Sequence, residues 1–460
     1  PATPTMPAYE NLVAGDLLKT INDGGTYKLG KIHGIKNDSS FTSGSKFPTM
    51  AKGVQISPTK VVIAYFLDYG LYLRTFTISG STITHDNNQM YVGLGSDVDQ
   101  GTFRYEIKKV ADNKFIVVYD VAHTNIYGRV FSVSGTTITP GTETIIESTG
   151  GSYAKNTTIE EIETNKFLVA STILTSDSTS YVKARIIYTS SSDNSITTGN
   201  VIDAYSDSSY HFWFKLKLVK VNTDTFVLCG QRYTGSNYCF SAMVINISGV
   251  NLTGGGYSDK LLTDSDLVYD CYLYDTNKVF AILNYGGSNN YKKVIFLTRS
   301  SDTITITHFN TTIECRIANR SFTIKKLGSF YYANSYTKTT KFLASEAFGT
   351  KTIKEYATSD NQGLLVNYDN KAISFNGYTY SSVYTTYLFM YLLDHDEFVT
   401  SANAAYTAGD SVPLASTFTG FTGLLNGLDY YINSAGSGLT TDSTYQKVGK
   451  AINDTTIIKS

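Results

Sequence analysis

The sequence predicts an all-β protein built as a β-propeller, and two observations carry that prediction. Apolar residues almost never recur at the i, i+3, i+4, i+7 spacing of a helix, whereas short β-branched and aromatic runs recur between turn residues. An alternating strand, a tight Asp, Asn or Thr turn and a strongly apolar strand also return together roughly every 50 to 60 residues. A repeat of this length that contains four short strands is typical of a propeller blade.

Repeats of the apolar second strand mark the predicted blades. They read SPTKVVIAYF, ADNKFIVVYD, ETNKFLVAS, NTDTFVLCG, DTNKVFAIL, KLGSFYYAN and HDEFVTSA, anchored at Val61, Phe115, Phe167, Phe226, Val279, Phe330 and Phe398. The last repeat is the faintest, and the stretch from Phe330 to Phe398 is too long for one blade, so we expect an insertion or an irregular closing blade there. The predicted propeller covers residues 41–404 in four-stranded antiparallel blades, seven of them, with six left open as the alternative.

Composition limits the classes of partner. The chain carries 38 Lys+Arg against 39 Asp+Glu, and this net charge of −1 offers no basic field for a nucleic-acid backbone. No apolar run approaches the roughly 18–20 residues that span a bilayer. We therefore expect neither nucleic-acid binding nor membrane insertion. Surface polarity comes instead from Ser, Thr, Asn, Gly and an unusual 36 Tyr beside a single Trp.

The cysteines and histidines predict no metal or cofactor site. Cys229, Cys239, Cys271 and Cys315 are too sparse for a disulfide scaffold and are predicted to be buried free thiols. A pairing of Cys229 with Cys239 across a hairpin is the alternative. The chain has no CxxC motif, and its six His share no ligand spacing. We expect no metal ion and no cofactor.

Carboxylates at strand ends are the candidates for an enzyme. A glycosidase needs two carboxyl groups about 5–10 Å apart. The acidic residues expected to face the propeller channel are Asp68, Asp120, Asp203, Asp270 and Asp394, and Asp68 and Asp120 follow equivalent strands. Because solvated carboxylates at strand ends are far commoner than catalytic pairs, we expect no enzyme here, and a polysaccharide depolymerase is kept as the third hypothesis.

Three arginines recur in register, at Arg74, Arg129 and Arg185, and Lys293 is assigned to the same position of the fifth blade. Their guanidinium groups could bind acidic sugars. The alternative is a structural feature of each blade, in which the stem of the arginine covers an aromatic ring. Repetition in register favours the structural interpretation.

Tyrosines in loops rich in Asn, Ser and Gly are the candidate ligand-binding residues. They are Tyr210, Tyr238, Tyr291, Tyr378 and Tyr380. Tyrosine offers a rigid amphipathic surface at low entropic cost, and small polar neighbours supply adaptable hydrogen bonds. The alternative is that tyrosine merely fills the faces of the strands.

The last part of the chain carries a recognisable pattern. Residues 406–460 include GLLNGLDYYINSAG and YQKVGKAINDTTIIK, with Gly427, Tyr430, Tyr431, Gly438, Val448, Gly449, Ala451 and Ile452 at the matching positions. This pattern resembles a small β-module at the C-termini of many phage tail, tail-fibre and structural proteins. It departs from the module at Asn426 and Leu428, where Pro and a second Gly are usual. We assign residues 405–460 to a C-terminal β-module and residues 1–40 to an N-terminal segment that serves as an attachment or propeller-closing strand.

The resemblance implies a virion protein of a tailed bacteriophage, assembled in the cytoplasm of the bacterial host. The first hypothesis is a tail-fibre or receptor-binding protein that recognises a host-surface polysaccharide without a covalent step. The second is a structural virion component, such as a head-fibre, collar or tail block, that binds no receptor. The expected partners are other virion proteins and further copies of the chain, because several copies would turn weak sugar contacts into lasting adhesion.

Overall fold

A computed structural model of the chain shows the predicted all-β architecture. Backbone is described for 5–7, 17–23, 26–31, 36–41, 49–67, 70–79, 82–85, 89–93, 105–121, 125–148, 153–175, 179–190, 192–207, 213–233, 238–261, 268–284, 291–314, 323–327, 330–334, 338–345, 349–357, 363–368, 371–379, 386–394, 400–401, 411–413, 417–419, 429–432, 439–440, 446–451 and 456–459. Side chains are described for 52–65, 70–78, 84, 89–93, 105–120, 125–148, 156–175, 179–190, 192–206, 216–233, 239–259, 271–282 and 295–306.

Antiparallel sheets, each a meander of consecutive strands, follow one another along the described chain. Sheet 1 contains β5 (Thr49–Ser57), β6 (Lys60–Leu67), β7 (Gly70–Ser79), β8 (Thr82–His85) and β9 (Met90–Tyr91). Sheet 2 contains β10 (Tyr105–Ala111), β11 (Lys114–Val121), β12 (Asn125–Ser134), β13 (Thr137–Pro140) and β14 (Thr144–Ser148). Sheet 3 contains β15 (Tyr153–Glu163), β16 (Lys166–Leu174), β17 (Ser180–Thr189) and β18 (Ile196–Asp207). Sheet 4 contains β19 (Trp213–Asn222), β20 (Thr225–Tyr233), β21 (Tyr238–Ser248) and β22 (Asn251–Leu261).

The remaining sheets continue the pattern and involve both ends of the chain. Sheet 5 contains β23 (Val268–Asp275), β24 (Lys278–Asn284), β25 (Tyr291–Ser300) and β26 (Thr303–Glu314). Sheet 6 contains β27 (Thr323–Leu327), β28 (Phe330–Asn334), β29 (Lys338–Ser345) and β30 (Gly349–Ala357). Sheet 7 contains β31 (Gly363–Tyr368), β32 (Lys371–Thr379), β33 (Thr386–Asp394) and, as its outermost strand, β4 (Lys36–Phe41) from the N-terminal segment.

The sheets form a closed ring, which is the propeller that the repeat predicts. The first strand of each sheet lies against the first strand of the next, from β5 through β10, β15, β19, β23 and β27 to β31, and β31 lies against β5. Because a strand from the N-terminal segment completes sheet 7, the two ends of the ring are joined by backbone hydrogen bonds between β4 and β33. Ring closure of this kind protects the sheet edges that an open array would expose.

Outside the ring, strands near both ends of the chain pair with one another. β1 (Thr5–Pro7) pairs with β35 (Ser411–Pro413), and β2 (Leu17–Asp23) pairs with both β3 (Thr26–Lys31) and β34 (Thr400–Ser401). A separate sheet contains β36 (Thr417–Thr419), β40 (Thr456–Lys459), β39 (Gln446–Ala451), β37 (Asp429–Ile432) and β38 (Leu439–Thr440). In it Tyr430 and Gly449, two residues of the C-terminal sequence pattern, lie opposite each other.

In sheets 1 to 5, whose side chains are described, the second strand is apolar because it is buried. In β11, Phe115 and Val117 join a core cluster with sheet 1, whereas Ile116 and Val118 join a cluster with sheet 3. All four are fully buried, and each such side chain contributes about 1.5–3 kcal/mol to the free energy of unfolding. Further clusters fill the spaces between sheets 3 and 4 and between sheets 4 and 5. The core is therefore a series of layers between facing sheets.

The turns between the first and second strands of sheets 1 to 5 share a backbone hydrogen bond. Asn113 and Asn165 adopt left-handed φ angles of 59° and 63°, which Asn tolerates better than most residues. The carbonyl group of the second turn residue accepts a hydrogen bond from an amide of the third strand in each case. The bonds run from Ile78 to Thr59, Val133 to Asn113, Thr189 to Asn165, Ile247 to Asp224 and Arg299 to Asn277. The shared backbone bond explains why a turn recurs at this position of each repeat, and the left-handed φ explains the Asn at the second turn residue of sheets 2 and 3.

The assignment of the last repeat to Phe398 is wrong. The apolar second strand of sheet 7 is β32, which begins at Lys371 in the run YDNKAISF, and Phe398 lies outside the described residues. The stretch from Phe330 to Phe398 therefore holds the rest of sheet 6 and three strands of sheet 7. Of the two expectations for this stretch, the irregular closing blade fits, because β4 from the N-terminal segment supplies the fourth strand of sheet 7. The expected insertion rested on a misplaced anchor, since the polar residues of KAISFNG make β32 less apolar than its counterparts.

The predicted free thiols are confirmed for Cys229, Cys239 and Cys271, which are buried and unbonded to one another. Cys315 lies outside the described residues. Cys229 faces Ala242 and Cys239 faces Arg232 across the β20–β21 hairpin, so the alternative pairing of Cys229 with Cys239 is wrong. The two cysteines do not lie opposite each other because their positions in the hairpin are offset along the strands.

Candidate functional site

Connections of different length lie at the two ends of the strands. Two-residue turns join first to second strands, as at Asp112–Asn113, and third to fourth strands in sheets 1, 2, 4 and 5, as at Gly249–Val250, whereas six residues join the third and fourth strands of sheet 3. We call this end the short-turn face. At the opposite end lie the connections from second to third strands and those from each sheet to the next, and we call it the long-connection face. In propellers, as in other folds, binding residues concentrate on loops that a rigid scaffold positions.

The predicted ligand-binding tyrosines fall at the long-connection face where the backbone is described. Tyr238 is the first residue of β21, Tyr291 is the first residue of β25, and Tyr378 is the second-last residue of β32. Their side chains lie outside the described part, as do Tyr210 and Tyr380 altogether. Their proposed contacts with a ligand therefore stay a prediction.

A stack of tyrosines on sheet 1 lies at the same face and was missed by the sequence reasoning. Tyr65 and Tyr72 stack at 6.1 Å between ring centroids, and Tyr72 contacts Tyr91 at 5.3 Å. The exposure of the rings to solvent increases along the row, since Tyr65 is buried and Tyr91 is 52% exposed. Burial raises the pKa of Tyr65 to about 12, and its hydroxyl donates to Gln89 Oε1 at 3.0 Å. The row ends in a solvent-facing ring that its neighbours hold in place.

Sheet 2 carries a related pair. Tyr119 and Tyr127 stack at 6.1 Å, and Asn125 Nδ2 donates to the Tyr127 hydroxyl at 3.1 Å. The Tyr119 hydroxyl donates to the carboxylate of Glu143, and burial together with this bond raises the pKa of the tyrosine. Tyr65 and Tyr119 each lie four residues after the anchor of their blade, so the repeat itself contained a signal for both pairs.

A third cluster joins sheets 3 and 4 near the long-connection face. Arg232 on β20 donates from Nη1 to the hydroxyl of Tyr205 on β18 at 2.6 Å and forms an ion pair with Asp259 on β22. Ser241 on β21 donates to the other oxygen of Asp259. Tyr257 on β22 is 52% exposed and meets Tyr205 edge to face, with 5.5 Å between ring centroids. Aromatic, cationic and anionic side chains thus meet in one cluster, and Tyr257 is its exposed member.

The candidate catalytic carboxylates are not arranged as predicted. Asp203 was expected to face the channel, but it lies on β18, the outermost strand of sheet 3, with its side chain 52% exposed. Asp394 is the last residue of β33 and lies at the short-turn face, whereas Asp120, Asp203 and Asp270 lie towards the long-connection face. Both expectations are wrong because only first strands border the channel. Asp120 is buried near the end of β11, Asp270 lies on β23 with its side chain outside the described part, and Asp68 is not described.

The arginine register is confirmed, and the assignment of Lys293 is wrong. Arg74, Arg129 and Arg185 each lie opposite the second residue after the anchor of their blade. In sheet 5 that position belongs to Ile295, and Lys293 lies two residues away. The sequence comparison missed this offset because register depends on the length of the connection between β24 and β25.

The geometry supports the structural interpretation of the arginines. Arg129 Nε donates to the carbonyl of Gly141 at 2.8 Å, and its guanidinium carbon lies 5.9 Å from the Phe131 ring centroid. Arg185 donates to Gly199 O at 3.0 Å and forms an ion pair of 2.9 Å with Glu147 of sheet 2. Both guanidinium groups therefore bond carbonyl groups on the outer side of their own sheet, and Arg185 also ties sheet 3 to sheet 2.

Charged side chains from the first strands meet inside the ring. Glu106 on β10 accepts from Lys52 of sheet 1 at 2.6 Å and from Lys217 of sheet 4 at 2.9 Å. Because Lys217 reaches sheet 2 past sheet 3, this contact crosses part of the channel. Burial would raise the pKa of Glu106, but the ammonium groups of Lys217 and Lys52 lower it to about 2. Lys108 forms a further pair with Glu160 of sheet 3 at 2.7 Å.

Neither a metal cluster nor a membrane-spanning helix is present in the part of the chain that the structure describes. No group of three or more His, Cys, Asp or Glu side chains there is arranged to hold a metal ion. Among the same residues there is no helix long and apolar enough to cross a bilayer.

Comparisons with known proteins find structural likeness without sequence relationship. No family model matches the chain, and no curated protein sequence matches it. Similar solved structures include a protein from Lactobacillus plantarum, with 12% identity over 76% of this chain and 97% of that one and a TM-score of 0.48. An α-L-arabinanase of Penicillium chrysogenum complexed with arabinobiose has 7% identity over 84% and 98% of the two chains, with a TM-score of 0.41. The polysaccharide lyase Uly1 has 8% identity over 85% and 100%, with a TM-score of 0.46. Likeness at these identities and TM-scores carries no argument about what this chain binds.

Proposed function

We propose that the chain is a non-catalytic recognition protein whose long-connection face binds surface glycans by stacking and hydrogen bonding. The observation that carries the proposal is the pair Tyr91 and Tyr257, each 52% exposed and each packed against a second tyrosine; Tyr91 lies at this face, and Tyr257 lies on the outermost strand of sheet 4 beside a cluster that extends towards it. Sugars present C–H faces that stack on aromatic rings and hydroxyl groups that pair with polar side chains. A ring that is already immobilised loses little conformational freedom when a sugar binds.

The carboxylates give less support to a polysaccharide depolymerase. Asp120 and Asp203 belong to different sheets and to strands that do not border the channel, and Asp394 lies at the opposite face. Inside the ring, Glu106 forms ion pairs with Lys52 and Lys217, which lower its pKa to about 2. A lowered pKa is the opposite of what a general acid at neutral pH needs.

We further propose that this recognition protein is part of a phage virion, as a tail-fibre or receptor-binding protein. The support is the resemblance of residues 406–460 to the C-terminal modules of phage tail and structural proteins. Several copies on one virion would convert weak sugar contacts into firm adhesion through a high effective concentration. A structural virion component without receptor binding is the alternative, and the same binding experiment separates the two.

The experiment compares purified full-length protein and a Tyr91→Ala, Tyr257→Ala double variant on a glycan array and on bacterial cells. We expect binding by the parent chain and a loss of at least about tenfold in the double variant, since an aromatic contact of this kind contributes on the order of 1 kcal/mol per ring. Val250→Ala is the matched control, because Val250 is 55% exposed at the short-turn face of the same sheet as Tyr257.

Two outcomes would contradict the proposal. If the folded parent chain binds no glycan and no cell, the recognition function is wrong and the structural role is favoured. If instead it releases reducing ends or unsaturated sugars from a host polysaccharide, the chain is a depolymerase. Detection of the protein in purified phage particles by mass spectrometry tests the virion location independently of binding.

A further inference from the structure

We propose that the cluster of Tyr205, Arg232, Ser241, Tyr257 and Asp259 is a subsite for an uncharged sugar residue. The inference rests on the glycan-binding function proposed above and names the class of sugar and the side chains that would hold it. Four of the five side chains come from sheet 4, and Tyr205 comes from the outermost strand of sheet 3. The site therefore spans the boundary between two blades.

The Tyr257 ring provides the stacking surface. The guanidinium carbon of Arg232 lies 5.8 Å from the centroid of this ring and 5.8 Å from that of Tyr205, at the distance of a cation–π contact. The two rings stand at 85° to each other. Because protein groups occupy one side of Tyr257, its 52% exposure belongs to the remaining side and edge. A sugar can stack there without any rearrangement of the protein.

Asp259 provides acceptors for sugar hydroxyl groups beside the ring. One of its oxygens accepts from Arg232 Nη2, and the other accepts from the Ser241 hydroxyl. An ionised carboxylate has about four acceptor positions, so these bonds leave capacity for hydroxyl groups of a ligand. The Asp259 side chain keeps 23% of its surface exposed, which makes that capacity accessible. Its two bonds also fix the carboxylate in one orientation.

The charges of the cluster favour a neutral sugar over an acidic one. Burial would lower the pKa of Arg232, but the Asp259 carboxylate and the hydroxyl groups of Tyr205 and Tyr257 raise it, so the guanidinium stays charged. Its charge is matched by that of Asp259. A sugar carboxylate placed on Tyr257 would approach Asp259 and compete with it for a guanidinium that is already paired. An uncharged hexose meets no such repulsion and can donate its hydroxyl hydrogens to Asp259.

The test measures binding of the full chain to two sets of immobilised oligosaccharides, one of neutral hexoses and N-acetylhexosamines and one carrying sialic or uronic acids. We expect the parent chain to prefer the neutral set. Tyr257→Ala should weaken that binding about fivefold, whereas Tyr257→Phe, which keeps the ring, should stay within about twofold. Val250→Ala should bind as the parent does. Tyr257→Ala should lower the thermal midpoint of unfolding by only a few degrees, because its ring is 52% exposed and loses just its contacts with Tyr205 and Arg232.

The outcomes separate this inference from the proposed function. If the parent chain binds glycans but Tyr257→Ala binds equally well, the subsite is wrong and the recognition function stands. Weaker binding in Tyr91→Ala but not in Tyr257→Ala would place the sugar on sheet 1 only, so the subsite would again be wrong while the recognition function stands. Preference for the acidic set would overturn the assigned sugar class, and a Tyr257→Phe variant as weak as Tyr257→Ala would overturn the stacking role. Failure of the parent chain to bind any glycan would remove both proposals.

Discussion

Replacing Glu106 by Gln should destabilise the propeller at neutral pH by about 3 kcal/mol. The change removes the carboxylate that pairs with Lys52 and Lys217 inside the ring, where the side chain of Glu106 is 12% exposed and those of the lysines 13% and 22%. The pKa of Glu106 falls from 4.5 to about 2 in the folded chain. Each pKa unit corresponds to about 1.4 kcal/mol, and breaking a buried ion pair typically costs about 3–5 kcal/mol.

The pH dependence of this effect has a definite sign. Because the folded pKa of Glu106 is lower than the unfolded one, the carboxylate stabilises the fold above pH ~4.5 and the stabilisation is lost as the pH falls towards ~2. The parent chain should therefore lose about 3 kcal/mol of its free energy of unfolding across that interval through this group. Glu106→Gln should lack this component, so the two chains should approach each other in stability near pH 2.

Urea unfolding followed by circular dichroism at several pH values measures both quantities. Asp112→Asn is the matched control, because Asp112 also pairs with a lysine, Lys109, at 2.7 Å, but the two side chains are 73% and 42% exposed. Exposed pairs contribute little, so the control should unfold at the urea concentration of the parent. The reasoning is refuted if Glu106→Gln matches Asp112→Asn at pH 7, or if its deficit is the same at pH 7 and near pH 2.

Other substitutions test the blade geometry by the same urea unfolding measurement. Asn113→Ala should cost about 1 kcal/mol because φ is 59° there, and Asn113→Gly should cost less; equal losses would contradict the conformational explanation. Gly141→Ala should cost more than ~1 kcal/mol because its Cβ would lie 2.3 Å from the carbonyl oxygen of Asn194, and an unchanged midpoint of unfolding would show that the two connections carrying these residues move apart freely. Glu147→Gln removes the ion pair with Arg185 that joins sheets 2 and 3, so it should lower the free energy of unfolding. The loss should be smaller in high salt if the ion pair is responsible, and a loss that does not depend on salt would contradict this.

The repeat in the sequence was sufficient for the fold because it records two local requirements of every blade. The second strand must be apolar on both faces, as Phe115 and Ile116 show by joining different clusters. The turn before it must present a carbonyl group to the third strand, as Asn113 and Asn165 do. The repeat misplaced the second strand only in sheet 7, where KAISFNG is less apolar and the fourth strand comes from the N-terminal segment.

Register decided which of the candidate residues share a position. Arg74, Arg129 and Arg185 share one register position, although the connections before their strands contain two, three and five residues. Lys293 looked equivalent in the sequence but pairs two residues away from that position. The prediction that Asp203 and Asp394 face the channel was wrong for a related reason. The distance of a residue from the channel depends on the place of its strand in the sheet and not on its distance from a turn.

Local patterns of residues were enough to establish the fold class, the blade unit, the buried thiols and the excess of tyrosine at strand ends, because each of these depends on residues close together in the chain. The folded arrangement was needed to bring together Glu106 with Lys217, and Arg232 with Tyr205. Glu106 and Lys217 are 111 residues apart and belong to sheets that are not neighbours. Their meeting depends on how many blades lie between them and on the curvature of the ring, which no local pattern of residues records.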